Sequence, residues 1–340
     1  MKMLLSEDDA IVLADWDADG AVSAAIFLYL QTAEIFPKRK KLNVVLNPSN
    51  PREAIKFLSS IIGCPSYVAM LDIAFVPELL NAIKTFKEKC PSTDLIYIDH
   101  HFSTLEHLGE LRPYLSRVRV GGSKPTSMHL ADIAHELEKP LPERLEVFAR
   151  AIGYIELGRK PPEDMMSVVS LVASIARALK LEKDSKFWDK MVKWLSSPLP
   201  IPMSKADLEI LNKVSEEAKK RDEELEKAVD DLTIGAQKVG CFKFIDARKR
   251  WKRRGVSSLA TKLSRKMRSP VALLASIKDG EIMVVRTRNN AAKLIAEELI
   301  NEGIATDAGG HSNIVVIKLK QGYNIEKIKQ ILVRSCRYVS

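Results

Sequence analysis

The chain has 340 residues, is 46% hydrophobic and 29% charged, and has a formal net charge of +9. That composition excludes disordered and collagen-like classes, and the length suits two domains, each with its own core. No apolar run reaches the roughly 18–20 residues of a membrane span, and the opening MKMLLSEDD is too short and too soon acidic for a signal peptide, so a cytoplasmic protein without a membrane partner is expected.

The first half alternates apolar runs with helical patterns. Strands are predicted over Ala10–Asp17, Leu42–Leu46, Tyr67–Ile73, Leu95–Asp99 and Val118–Val120. Helices are predicted over Val22–Leu30, Arg52–Leu58 and Pro77–Lys87, with Pro51 and Pro77 suited to first-turn positions. Such alternation predicts an α/β domain around a mostly parallel sheet, with ligands bound beyond the carboxyl ends of its strands. Helices then follow over Thr126–Leu137, Pro142–Leu157, Met165–Leu181 and Lys186–Leu195. Ser197–Pro202 reads as a boundary, and Ser204 opens a long charged helix to about Asp231. From Lys238 strands return around two helices, Ser257–Lys266 and Asn290–Glu302. The expected organisation is a catalytic domain over 1–196, a linker with its connecting helix over 197–234, and a smaller α/β substrate-binding domain over 235–340.

Charge divides along the same line. From Gly235 to Ser340 there are 22 Lys and Arg against 8 Asp and Glu; the totals of 53 and 44 leave 31 against 36 before it. A larger acidic part joined to a smaller basic part favours a phosphate-rich polymer as substrate. The four cysteines, Cys64, Cys90, Cys241 and Cys336, lack metal-ligand spacing and are expected as free thiols.

Two stretches carry the chemistry: Asp15-Trp16-Asp17-Ala18-Asp19-Gly20 and Asp99-His100-His101. In an extended strand Asp15, Asp17 and Asp19 would share one face, and Asp17, Asp72 and Asp99 all stand at predicted strand ends. Clustered carboxylates repel unless cations neutralise them, and oxygen donors with imidazoles suit Mn²⁺ or Mg²⁺.

These motifs resemble those of the DHH phosphoesterase family. Asp15 to Gly20 is similar to the first motif of its RecJ-like branch, Asp72 in Met70-Leu71-Asp72-Ile73 to the second, and Asp99-His100-His101 to the third. Ala308-Gly309-Gly310-His311 resembles the glycine-glycine-histidine signature of the DHH-associated C-terminal domain, and Val284-Val285-Arg286-Thr287 its strand-end arginine. The resemblance implies a two-metal phosphoesterase holding two Mn²⁺ ions, with Mg²⁺ as the alternative. Asp17, Asp19, Asp72 and His100 would be ligands, and Asp15 a ligand or a carboxylate behind them. Asp99 would orient a histidine, and His101 would contact the scissile phosphate or the attacking water. The family's fourth-motif aspartate has no direct match; either Glu156, the carboxylate nearest that place, completes the site, or the second metal site is weaker or differently completed.

Substrate contacts are expected from Gly309, Gly310, His311, Arg286 and Arg288. Lys124, Thr126 and Ser127 offer a loop and a helix start to a phosphate, or form a simple N-cap. Arg250, Trp251 and Arg253 offer cations and a stacking indole to single-stranded nucleic acid, or a solvated face with the indole turned inward. The resulting expectation is an exonuclease on single-stranded DNA or RNA, 3′→5′ like several compact archaeal RecJ-like proteins, with a helicase or repair protein as a further partner. The alternatives are a nanoRNase or small-nucleotide phosphodiesterase, and a non-catalytic helicase-associated scaffold.

Overall fold

The computed structural model describes residues 3–339 except Ser123, Pro200, Ile201, 252–254, Asp279, Asn290 and Ser312, and except the side chains of Leu181, Glu182, Ala218 and His311. The chain divides into two compact units, Met1–Glu216 and Glu217–Ser340.

The N-terminal unit is built on a five-stranded, wholly parallel sheet of β1 (Asp9–Ala14), β2 (Asn43–Pro48), β3 (Tyr67–Leu71), β4 (Asp94–Asp99) and β5 (Arg117–Val120), in the order β2-β1-β3-β4-β5. Both faces are covered, as parallel sheets require. Within β1, Ala10, Val12 and Ala14 pack on one face, and Ile11 and Leu13 on the other. The first face meets α1 (Ala18–Thr32), α4 (Thr126–Glu136), α5 (Glu143–Glu156), α6 (Met166–Glu182) and α7 (Ser185–Ser196), through side chains such as Phe27, Leu130, Phe148, Ile175 and Trp188. The second meets α2 (Pro51–Ser60) and α3 (Pro77–Lys89), through Leu58, Leu79, Ile83 and Phe86.

The predicted α/β class and parallel sheet are therefore present. The first strand, however, stops at Ala14 rather than Asp17. The Asp17 carboxylate accepts a hydrogen bond from the Gly20 N–H at 3.0 Å and caps α1, so helix geometry begins inside the acidic motif. Asp15, Asp17 and Asp19 thus converge from a strand-to-helix turn, not from one face of a strand.

A long helix, α8 (Lys205–Ile234), runs from one unit into the other. The C-terminal unit has a six-stranded sheet of β6 (Gln237–Val239), β7 (Phe242–Asp246), β8 (Val271–Ile277), β9 (Gly280–Arg286), β10 (Ala305–His311) and β11 (Ile314–Leu319), ordered β10-β11-β9-β8-β7-β6. Only the β7–β8 pairing is parallel. One face packs against α8 and α9 (Val256–Met267), with Val229, Leu232, Leu259 and Leu263. The other packs against α10 (Ala291–Asn301) and α11 (Ile325–Arg334), with Ile295, Leu299, Ile328 and Leu332. Beyond the two helices expected here lies α11, whose start is fixed by the Asn324 side chain accepting from the Glu326 N–H at 2.9 Å.

The cysteines also depart from expectation. Cys64 is bridged to Cys90 and Cys241 to Cys336, with Cα atoms 5.4 and 5.6 Å apart. Partners separated by 26 and 95 positions show no local signature, because the fold alone brings them together.

Candidate metal centre

The parallel sheet delivers its acidic residues to one place. Asp15 follows β1, Asp72 follows β3 and Asp99 ends β4, so three neighbouring strands point their carboxyl ends at a common site. Potential ligand atoms of Asp72, His100 and His101 lie within 4.8 Å of one another, as do those of Asp15, Asp17 and Asp72. Asp72 belongs to both groups.

Asp72 has a positive φ of 58°, a left-handed conformation costly for a residue with a Cβ. It is 2% exposed and closely held. The Thr126 hydroxyl donates to its Oδ1 at 3.0 Å, and His100 Nε2 stands 3.2 Å from the same oxygen. Burial, reinforced by Asp19, Asp17, Asp99 and Asp15, pushes the Asp72 carboxyl well above the usual carboxylate range. A buried anion among four others, on a strained backbone, is an arrangement that folding alone does not favour.

Asp19 is held from the opposite side. Its two oxygens accept the Thr126 and Ser127 backbone N–H groups at 2.8 and 2.9 Å. The N-terminus of α4 is therefore occupied by this carboxylate, and the N–H groups expected to meet a phosphate are already taken. Lys124 is likewise engaged, its Nζ 2.7 Å from Asp132 Oδ2. In this structure Thr126 and Ser127 position acidic residues, and Lys124 pairs with Asp132.

Asp99 is fully buried, and its Oδ1 lies 2.8 Å from His101 Nδ1. Burial works against a charged imidazole there, but the Asp99 hydrogen bond outweighs it and raises the His101 pKa. With the Nδ1 proton assigned to that bond, Nε2 is the ring's other donor or acceptor.

Asp15 and Asp17 respond in opposite directions. Burial, then the charge of Asp17, pushes the Asp15 carboxyl up to about 6. Burial also opposes the charge on Asp17, but Lys180 and the Gly20 N–H outweigh it and leave that carboxyl below its ordinary range. Lys180, from α6, places its Nζ 3.3 Å from Asp17 Oδ2. The sequence singled out no lysine here, since nothing local links position 180 to position 17. Glu156, the last residue of α5, is outside both ligand groups but within the field of the cluster. Its carboxyl is raised first by burial and then by Asp17 and Asp19.

Gly20 fixes the turn that assembles the acidic motif. A Cβ at this position would stand 2.3 Å from the Asp15 carbonyl oxygen and 2.7 Å from its nitrogen. Gly20→Ala must displace that backbone, which Trp188 Nε1 also grips through the Asp15 carbonyl at 3.3 Å. We expect a loss of about 1–3 kcal/mol, as for other overpacked sites, with weaker divalent-ion binding; unchanged melting and unchanged affinity would show that the turn tolerates a side chain.

In the C-terminal unit, Arg286 and His311 both pair in register with Ile314, from the strands on either side. Gly310 has φ 139°, and a Cβ there would lie 2.4 Å from the Ile314 carbonyl oxygen, whereas Gly309 faces open space. Burial and nearby Arg265 lower the Arg286 pKa. Arg286 donates to the Asn313 carbonyl at 3.5 Å, and Arg288 to the Arg268 carbonyl at 3.3 Å. The His311 side chain and Arg253 lie outside the described residues.

The expected stacking indole is corrected. Trp251 is 7% exposed and packs with Val229, Leu232, Leu259 and Leu263. Its backbone N–H bonds to the Ala247 carbonyl at 2.8 Å, a tight turn that carries the ring inward. Arg250 remains exposed, while Arg248, from the same run, is tied to Asp246, Glu281 and Tyr323.

No protein-family profile and no characterised protein sequence matches this chain. Solved structures do share its fold. The DHH domain of a member of the S1p family of ribosomal proteins superposes with a TM-score of 0.62 at 16% identity, over 98% of this chain and 87% of that one. RecJ from Thermus thermophilus, in complex with Mn²⁺, gives 0.59 at 15% identity, over 98% of this chain and 52% of that one. The pGpG-specific phosphodiesterase PggH of Vibrio cholerae gives 0.55 at 10% identity, over 98% and 100%.

Proposed function

We propose that this chain, which has the RecJ-like DHH fold, is a divalent-metal-dependent phosphodiesterase that removes nucleotides from the 3′ end of single-stranded DNA or RNA. The observation that carries the reading is a pair of ligand groups, Asp72 with His100 and His101 and Asp72 with Asp15 and Asp17, each with its potential ligand atoms within 4.8 Å of one another at the carboxyl ends of neighbouring strands. Such an oxygen-rich set with imidazoles fits Mn²⁺ or Mg²⁺, and its mutual repulsion gives it reason to take up cations.

Asp17, Asp19, Asp72 and His100 would hold two ions, with Asp72 common to both positions, Asp15 and His101 beside them and Glu156 at the margin. When bound, the ions would lower the pKa of a water and offset the charge that builds on attacking and leaving oxygens. The remaining work falls to the chain's own groups. Thr126 holds Asp72, and the α4 N-terminus holds Asp19, so these carboxylates do not need to reorganise during turnover. Asp99 fixes the His101 ring, and His101 would deliver a proton from Nε2 to the leaving oxygen. Gly309, Gly310, Arg286 and Arg288 give the C-terminal unit an open glycine and two cations for phosphate contact.

A second reading, hydrolysis of dinucleotides or very short RNA, is favoured by the burial of Trp251 and the pairing of Arg248, which leave less surface for a long strand. PggH, of similar fold, acts on pGpG. A cytosolic setting fits the two disulfides where intracellular disulfides persist, as in hyperthermophiles.

Oligonucleotides labelled at either end, incubated with Mn²⁺ or EDTA, test both readings. Metal-dependent release of single nucleotides from the 3′ label of a long strand is the expected result. Release from the 5′ label reverses the polarity, and cleavage confined to two- to five-mers selects the second reading. No cleavage of any substrate contradicts both.

A further inference from the structure

We propose that Lys180 is a built-in counter-ion of the acidic cluster, and that it makes the two cation positions of this site unequal. One position, bounded by Asp72, His100 and His101, lies free of it; the other, bounded by Asp15, Asp17 and Asp72, shares Asp17 with the lysine ammonium. This rests on the metal-centre reading above.

The geometry sets the asymmetry. Nζ stands 3.3 Å from Asp17 Oδ2 and lies also within the field of Asp15 and Glu156. These carboxylates come from the turn after β1, the N-cap of α1 and the end of α5, while Lys180 comes from α6. A cation entering between Asp15 and Asp17 therefore meets a resident positive charge, and like charges a few ångströms apart repel strongly in a partly buried site.

The pairing is nonetheless displaceable. The Lys180 side chain is 62% exposed, so its ammonium can return to water on a flexible four-carbon stem. A divalent ion can expel it at sufficient concentration. The first position then fills at low Mn²⁺ and the second only at higher Mn²⁺. Until it does, Lys180 keeps Asp15 and Asp17 from driving each other apart. Lys180 acts here as a positioning residue that sets metal occupancy.

Calorimetric titration of the full chain with MnCl₂ tests this, comparing the parent protein with Lys180→Met, which keeps much of the stem without the charge, and Lys180→Arg, which keeps the charge. The parent is expected to bind two ions with distinct affinities. In Lys180→Met the weaker site should tighten by about tenfold, the effect of relieving roughly 1.4 kcal/mol of repulsion, with the tighter site changed less than twofold. Lys180→Arg should follow the parent. Melting without metal gives an independent readout: Lys180→Met should melt lower, and Mn²⁺ should close the gap. Two ions bound by Lys180→Met with parental affinities, or a weakened second site, would overturn the inference and leave the metal centre standing. No Mn²⁺ bound by any of the three would overturn the metal centre itself, and the role of Lys180 with it.

Discussion

Replacing Asp72 by Asn is expected to reduce hydrolysis by at least about 10³-fold, the loss typical when a group that organises transition-state charge is removed, while raising the melting temperature of the metal-free protein. The two effects share one cause. Asp72 is buried beside Asp15, Asp17, Asp19 and Asp99, and its carboxyl is pushed well above the usual range by that burial and by those charges. An amide removes the repulsion and still accepts the Thr126 hydroxyl at Oδ1. It also removes the negative charge at the residue common to both ligand groups, so neither ion would be held well. Melting curves and rates measured on one preparation separate the effects. A variant that loses stability and keeps activity would mean that Asp72 serves the fold.

The pH response of the metal-free protein should carry the opposite sign from that of proteins whose carboxylates are paired in the fold. The Asp15 carboxyl is raised from 3.8 to about 6, first by burial and then by Asp17. Between these values the folded chain binds more protons than the unfolded chain, so stability must fall as pH rises through that window. A shift of this size corresponds to on the order of 3 kcal/mol at most, with the full penalty present above about pH 6. Asp72 and Asp19, also raised, act in the same direction. Bound divalent ions favour the ionised carboxylates, so Mn²⁺ should reverse the slope, stabilising the protein more at pH 7 than at pH 4.5. Melting temperatures across pH 4–7.5, with and without Mn²⁺, give the comparison. A metal-free protein that gains stability steadily from pH 4 to 7 would show that the cluster is not under the strain described here.

Much of this site can be read from the chain because parallel-sheet topology converts sequence position into spatial position. Asp72 and Asp99 close strands that pair directly, so their placement at consecutive strand ends brings them together without detailed packing. Asp17 and Asp19 were less legible, because capping moved them from a strand into the first turn of α1. What remained hidden depends on contacts between distant elements. Lys180 meets Asp17 only through the packing of α6 beside α1. Thr126 and Ser127 resemble a phosphate loop in sequence, but the anion at that helix terminus is Asp19. Trp251 sits among basic residues that suggest a surface, yet it is buried in one core cluster with side chains of α8, α9 and the sheet, which no local pattern reveals. The cysteine pairs are likewise a product of tertiary structure.

The most direct measurement is diffraction from crystals soaked in MnCl₂, with data collected at the manganese absorption edge. The account predicts an anomalous peak within ligating distance of Asp72 and His100, and a second, weaker one beside Asp15 and Asp17 that strengthens at higher Mn²⁺. Peaks only at surface carboxylates, with the Asp72 cluster empty at saturating Mn²⁺, would contradict it.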